Sequence, residues 1–366
     1  MVGHNPTADI AGAARVMLVD DSAVVRGLMR RWIEGHSALC VAGSASNGAE
    51  AVEMARKVQP DLIVLDLEMP IMDGMTALPH LLQAVPKCKV LVASTLSTRN
   101  AKISLKAMSL GATDYVAKPG SGSITRSQFE QELLAKLVAL SPSVGRQTPM
   151  PAPKPLASSA LAHHQGITGL ALVASTGGPV VLSQLMPHLR QFARHLSVFV
   201  VQHMPAHFTP LLGKDLCTLS HFGGGEAEQG QAVAAGHLYV APGDYHMRLS
   251  QRATGLCLSL DQGPPEHFCR PAADPFLKSF AAHYGPQGAV FVLTGMGSDG
   301  AAGALSVRQA GGIVVAQDQQ SSAVWGMPGA AVANGSAHHV VGLAEMGDAL
   351  SGLLQQKGQR AAMPYA

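Results

Sequence analysis

Five short apolar runs, at residues 16–19, 39–42, 62–65, 90–93 and 115–117, recur between stretches with helical spacing, and nothing else narrows the fold as far. Runs this short read as buried strands. The stretches between them read as helices: Ala51, Ala55 and Val58 repeat at helical spacing after Asn47, a residue suited to capping a helix. Five strand–helix units within about 125 residues predict a doubly wound parallel sheet.

The polar residues of this region stand just past the strands. Asp20 and Asp21 follow the first run, Asp66 the third, Ser94 the fourth and Lys118 the fifth. Any one of them alone is compatible with a loop or capping role. As a set they gather at one sheet edge, where three carboxylates repel one another unless a cation joins them. A hard oxygen-ligand site of this kind suits Mg²⁺. With the metal and Lys118 balancing its charge and Ser94 donating to it, a phosphoryl group fits beside Asp66, the carboxylate placed to attack phosphorus.

The second half carries the same device with different endings. The run 170–174 leads into Ser175-Thr176-Gly177-Gly178-Pro179, the run 197–201 into Gln202-His203-Met204-Pro205, and the run 289–293 into Thr294-Gly295-Met296-Gly297-Ser298-Asp299-Gly300. Three groups after three strands of one parallel sheet lie along one edge, where active sites form. Ser175, His203 and Asp299 are then candidates for nucleophile, general base and orienting carboxylate. Their chain order differs from the three familiar serine hydrolase orders and implies another scaffold. Two alternatives stand beside this reading: a second domain that only binds a partner, and a nucleotide-binding turn, since Gly295, Gly297 and Gly300 have dinucleotide-fingerprint spacing.

Composition sets the outer limits. A length of 366 residues suggests two domains, and 47% hydrophobic against 14% charged residues excludes overall disorder. A net charge of +2 gives no basic surface for nucleic acid. The pairs His163-His164 and His338-His339 lack metal-ligand spacing with any cysteine. Five scattered cysteines without a C-x-x-C pair read as reduced thiols, and no apolar run is long enough to span a membrane; a soluble, unprocessed, cytoplasmic chain is expected. The proline-rich segment 141–165 reads as a semi-extended linker.

Asp20-Asp21, the segment 60–74 around Asp66, Ser94, and Tyr115-Val116-Ala117-Lys118-Pro119 resemble the receiver domain of bacterial response regulators. The resemblance implies that Asp66 is the phosphoacceptor, Asp20, Asp21 and Asp66 the Mg²⁺ site, Ser94, Tyr115 and Lys118 the switch residues, and the Lys118–Pro119 bond cis. The three strand-end motifs, together with residues 239–244, 270–274 and 325–328, resemble the CheB family of chemotaxis protein-glutamate methylesterases. That resemblance makes Ser175 the nucleophile, His203 the base and Asp299 its partner, with Thr176 and Met296 bringing backbone N–H groups to the oxyanion. It implies a hydrolase of γ-glutamyl methyl esters on chemoreceptor helices, in some members also a glutamine deamidase, with no cofactor for the esterase step. It further implies a CheA-type histidine kinase as phosphodonor, a monomeric chain, and an unphosphorylated receiver that packs over the active site.

The expected layout is an N-terminal tail (1–14), a flavodoxin-like doubly wound receiver (15–140), the linker (141–165), a Rossmann-like α/β methylesterase domain with a mostly parallel sheet (166–355), and a C-terminal tail (356–366). The chain departs from the family pattern at Val173, where relatives commonly have glycine, and at Cys269, where they have histidine. The sequence neighbours of Cys269, Phe268 and Arg270, supply no base, which argues against Cys269 as nucleophile.

Overall fold

The computed structural model describes residues 12–95, 97–119, 125–142 and 166–355; most of the expected linker and tails lies outside these residues, as does the pair His163-His164. The chain divides into two compact units, Met1–Met150 and Pro151–Ala366.

The first unit alternates strand and helix throughout: β1 (Ala14–Val19), α1 (Ala23–Glu34), β2 (Leu39–Ala45), α2 (Gly48–Val58), β3 (Leu62–Asp66), α3 (Gly74–Ala84), β4 (Lys89–Thr95), α4 (Thr98–Ser109), β5 (Asp114–Lys118) and α5 (Arg126–Leu140). The helices start where short polar side chains can take up free N–H groups. Asn47 accepts from the Glu50 N–H at 3.0 Å and Asp73 from the Thr76 N–H at 2.7 Å. The five strands are parallel in the order β2-β1-β3-β4-β5. Because β1 lies between β2 and β3, the connections leave it in opposite directions, opening a crevice at its carboxyl end. Asp20 and Asp21 stand there, with Asp66 beside them on β3.

The second unit opens with β6 (Gly169–Ala174), α6 (Gly178–Leu189), β7 (Ser197–Gln202), α7 (Thr209–Ser220), β8 (Gly223–Glu226) and β9 (His237–Val240). A hairpin follows, β10 (His246–Arg252) and β11 (Gly255–Asp261), paired antiparallel and apart from the main sheet. The chain continues through α8 (Ala273–Tyr284), β12 (Gly288–Val292), α9 (Ala301–Gln309), β13 (Ile313–Gln317), α10 (Gly326–Ala333), β14 (His339–Val341) and α11 (Leu343–Leu354). The main sheet is parallel in the order β14-β13-β12-β6-β7-β9-β8.

Every residue of β6, β7, β12 and β13 is buried, as expected for strands covered on both faces, which explains their continuous rather than alternating apolar pattern. Phe199 on β7 sits in an aromatic group, 5.4 Å from the Tyr239 ring and 5.4 Å from the Phe276 ring. Val173 is fully buried in this core, so the side chain that replaces the family glycine is accommodated by packing. Again the first strand of the sheet, β6, lies at the point where the order reverses, and Ser175 follows it. No helix among the described residues is long and apolar enough to cross a membrane.

Candidate functional site

In the second unit three adjacent strands deliver the candidate triad. β6 lies between β12 and β7, and the pairing continues past the strand ends: the Ser175 N–H donates to the Thr294 carbonyl at 3.0 Å, and the His203 N–H donates to the Ala174 carbonyl at 3.2 Å. Ser175 is thus held between the β12 and β7 ends, half-buried, at the start of the turn into α6. Two glycines make that turn feasible. A Cβ at Gly178 would collide with Gln202 Oε1 and lie 2.7 Å from Ala174 Cβ, and a Cβ at Gly295 would lie 2.8 Å from Ser175 Cβ.

His203 Nε2 hydrogen-bonds Asp299 Oδ2 at 2.7 Å. The carboxylate is otherwise saturated: Oδ2 also accepts the Ala273 N–H at 2.6 Å, and Oδ1 accepts the N–H groups of Asp274 at 3.0 Å and Gly300 at 2.9 Å. Asp299 therefore joins the first turns of α8 and α9, where free N–H groups favour a negative charge. Burial pushes its carboxyl up, but the His203 bond and charge and the backbone donors outweigh it and hold it below its ordinary value. Burial works against the charged imidazole as well; the Asp299 hydrogen bond and the nearness of the Cys269 side chain and the Asp299 carboxylate outweigh it and push His203 up to about 9.

That contact revises the reading of Cys269. Its neighbours in sequence supply no base, but tertiary structure brings the catalytic-type imidazole to its thiol. In sequence the thiol stands where the family pattern has histidine.

Sequence reasoning passed over three supporting side chains. Gln202 Nε2 donates to the carbonyls of Ser175 at 2.9 Å and His203 at 3.3 Å. Thr294 Oγ1 donates to the Thr176 carbonyl at 2.9 Å, and Gln317 Oε1 accepts the Thr294 N–H at 2.9 Å. All three are buried polar residues at or just past the end of an apolar run, a signal present in the sequence but without an assigned partner. Among the described residues no hydrogen bond takes up the N–H of Thr176 or of Met296.

The glycine spacing 295–300 does not serve a nucleotide. The α9 N-terminus that would receive a pyrophosphate is already occupied by Asp299 through the Gly300 N–H. His267, Asp274 and Asp299 bring ligand-type atoms within 4.8 Å of one another, yet their carboxylates are already engaged by backbone donors, including the Gly303 N–H to Asp274 Oδ1 at 2.6 Å. His338 and His339 belong to no such group among the described residues.

In the first unit Asp20, Asp21 and Asp66 place one carboxylate oxygen each within 4.8 Å of the others. Lys118 Nζ reaches Asp20 Oδ2 at 2.6 Å and Asp66 Oδ2 at 2.9 Å. Burial pushes the Asp66 carboxyl up against the pull of Lys118, with the charge of Asp20 adding to the rise. Such an all-oxygen cluster fits Mg²⁺, whose charge would offset the repulsion that Lys118 offsets here. Ser94 and Tyr115 are buried on β4 and β5. The expected cis Lys118–Pro119 bond is not found: the one cis bond among the described residues is Arg270–Pro271, and Lys118 reaches both carboxylates without it.

Comparison with known proteins gives both units a class. Residues 16–127 match the response regulator receiver domain family and residues 170–350 match the CheB methylesterase family. The chain is thus a response regulator with an enzymatic output domain. It is 41% identical over 360 residues to the protein-glutamate methylesterase/protein-glutamine glutaminase 1 of Paramagnetospirillum magneticum, covering 91% of this chain and 94% of the relative. It is 40% identical over 374 residues to the protein-glutamate methylesterase/protein-glutamine glutaminase of Azospirillum brasilense, covering 94% of each. The crystal structure of the Thermotoga maritima CheB methylesterase catalytic domain, 35% identical, matches 51% of this chain and 98% of that one with a TM-score of 0.48. The chain belongs to the CheB family of protein-glutamate methylesterase/protein-glutamine glutaminases.

Proposed function

We propose that this chain hydrolyses γ-glutamyl methyl esters on chemoreceptor helices, and deamidates receptor glutamines by the same acyl transfer, at Ser175, His203 and Asp299. The observation that carries the reading is the 2.7 Å bond from His203 Nε2 to a carboxylate fixed by three backbone N–H groups, beside the strand end that holds Ser175. With Nε2 committed to Asp299, Nδ1 is the ring atom that takes the Ser175 proton as Oγ attacks the ester carbonyl. The Thr176 and Met296 N–H groups receive the developing oxyanion. Methanol, or ammonia from an amide, leaves with the proton from Nδ1; water activated by the same nitrogen then frees the glutamate. Nucleophile and base are both side chains, so the esterase step calls for no cofactor.

In the first unit Asp66 is the phosphoacceptor, and Asp20, Asp21 and Asp66 hold the Mg²⁺. The metal supplies positive charge for the phosphoryl group. Lys118 neutralises its remaining charge, and Ser94 and Tyr115 sense its presence. A CheA-type histidine kinase donates the phosphoryl group, and phosphorylation raises the rate at Ser175 in a monomeric cytoplasmic protein. The receiver is built from residues 15–140 and the esterase from residues 166–355, with residues 141–165 linking them. The deciding experiment measures methanol release from a methylated receptor by the wild type and by Ser175→Ala. Equal release by the two, with contaminating esterase excluded, would refute the assignment.

A further inference from the structure

Cys269 closes a two-residue hairpin turn with Glu266: the Glu266 N–H donates to the Cys269 carbonyl at 3.1 Å, and the Cys269 N–H returns to the Glu266 carbonyl at 2.9 Å. The residues between them, His267 and Phe268, have φ of 52° and 63°. Turns with two left-handed residues normally take asparagine, aspartate and glycine, because a Cβ crowds the backbone there. A phenylalanine at such a position is an outlier, and backbone strain of this kind clusters at functional sites. Phe268 is also 103% exposed, with its ring wholly in solvent. Neither its conformation nor its exposure contributes to the stability of the fold.

The turn is nonetheless tied closely to the triad. His267 Nε2 hydrogen-bonds Asp274 Oδ2 at 3.0 Å, and the Asp274 N–H donates to Asp299 Oδ1 at 3.0 Å. The Cys269 side chain lies close enough to His203 to act on its imidazole. Arg270 binds the carbonyls of Gln262 and Gly263, at 3.1 and 2.9 Å, and its own carbonyl accepts the Asp244 N–H at 3.2 Å. Next to Asp244 comes Tyr245, 38% exposed, and beyond Gly295 comes Met296, 40% exposed. These three are the exposed large apolar side chains of the second unit among the described residues; Met296 shares its loop with Asp299, and the turn of Phe268 is bonded to Asp274, whose N–H holds Asp299.

We propose that Phe268 is the docking anchor for the helix that carries the substrate ester, packing on aliphatic side chains about one helical turn from the reacting residue, with Tyr245 and Met296 completing the apolar rim. The inference rests on the methylesterase reading and adds to it the residue that selects a protein helix over a small ester. The turn bearing Phe268 is tied to Asp299 through His267 and Asp274, so a helix presenting its side chain to Ser175 passes close to it. An aromatic held rigidly on a short turn loses little conformational freedom on binding, which suits it to an anchor. Neighbouring positions on a helix face lie three and four residues apart, so one face presents both the ester and an apolar contact.

The test uses full-length protein phosphorylated with acetyl phosphate and Mg²⁺, a methylated receptor cytoplasmic fragment, and p-nitrophenyl acetate as the small ester. Phe268→Asn suits the left-handed turn and is expected to melt no lower than the wild type. It should raise KM for the receptor fragment and weaken direct binding of that fragment by about tenfold or more, the loss typical of an aromatic anchor, while hydrolysing the small ester as the wild type does. Phe268→Leu should recover part of the receptor affinity. Unchanged receptor KM and binding in Phe268→Asn overturn the proposal. So does a parallel fall in small-ester turnover, which would make the turn a support for the triad alone. A rise of the unphosphorylated Phe268→Asn protein to the phosphorylated rate also overturns it, because the receiver would then be the occupant. Phe268-dependent binding of the fragment without methanol release by the wild type would instead uphold docking and defeat the esterase reading.

Discussion

His203 and Asp299 meet through Nε2 and Oδ2 at 2.7 Å, which leaves Nδ1 as the ring nitrogen not committed to the carboxylate. Removing that base should be costly: His203→Ala is expected to lower kcat/KM for receptor ester by about 10²- to 10⁴-fold without unfolding the protein. Ser175→Ala should lower it at least as far. Methanol release, with circular dichroism to check the fold, decides both.

Asp299→Asn is expected to damage fold and chemistry together. The carboxylate accepts three backbone N–H groups as well as the imidazole, and an amide cannot accept at its nitrogen. At least one buried donor is then left facing another donor, a loss of about 1–3 kcal/mol. Urea unfolding of Asp299→Asn against the wild type measures it; equal midpoints would contradict this account.

An imidazole pushed up to about 9 is charged at neutral pH and cannot act as a base until it loses its proton. Esterase kcat/KM should therefore climb about tenfold per pH unit on its acid limb and level near pH 9. Stability runs the other way. The folded-state value lies above the ordinary 6.5, so the contribution is complete below pH 6.5 and is lost as pH rises through about 9. A pH series of unfolding midpoints on the wild type and His203→Gln should show a steeper fall for the wild type across that window.

Gly295→Ala should lower turnover with a smaller effect on the fold. The added methyl meets Met327 Sδ, which can move, and lies 2.8 Å from Ser175 Cβ and 3.0 Å from Ser175 N, which position the nucleophile. Displacing it by about 1 Å is expected to cost about 10²-fold in kcat. Single-turnover kinetics on p-nitrophenyl acetate separate this from weaker binding.

In the receiver, acetyl phosphate should label the chain only with Mg²⁺, and Asp66→Asn should remove the stable label. Three carboxylate oxygens within 4.8 Å already need Lys118 between them, and a phosphoryl group adds further negative charge. Labelling after EDTA treatment, or undiminished labelling of Asp66→Asn, would contradict this. Phosphorylated wild type should also release methanol faster than the unphosphorylated protein, whereas acetyl phosphate should leave the rate of Asp66→Asn unchanged.

The two sheets were legible in the sequence because strands covered on both faces leave runs that are apolar throughout, and because the polar residue after each run has no place in the core. Asp20, Asp66, Lys118, Ser175, His203 and Asp299 could all be picked out this way. The β10–β11 hairpin could not: its faces are unequally buried, and no unbroken apolar run marks it. Nor could strand order, which rests on long-range pairing and puts β6 between β12 and β7, so that the strand ends carrying Ser175 and His203 are neighbours. Tertiary structure alone brought the Cys269 thiol to that imidazole and set Asp299 on the first turns of two helices, because those contacts join residues 66 and 26 positions apart. Local chain chemistry selects which residues end a strand; which of them meet is decided by how the strands are ordered and how the loops between them pack.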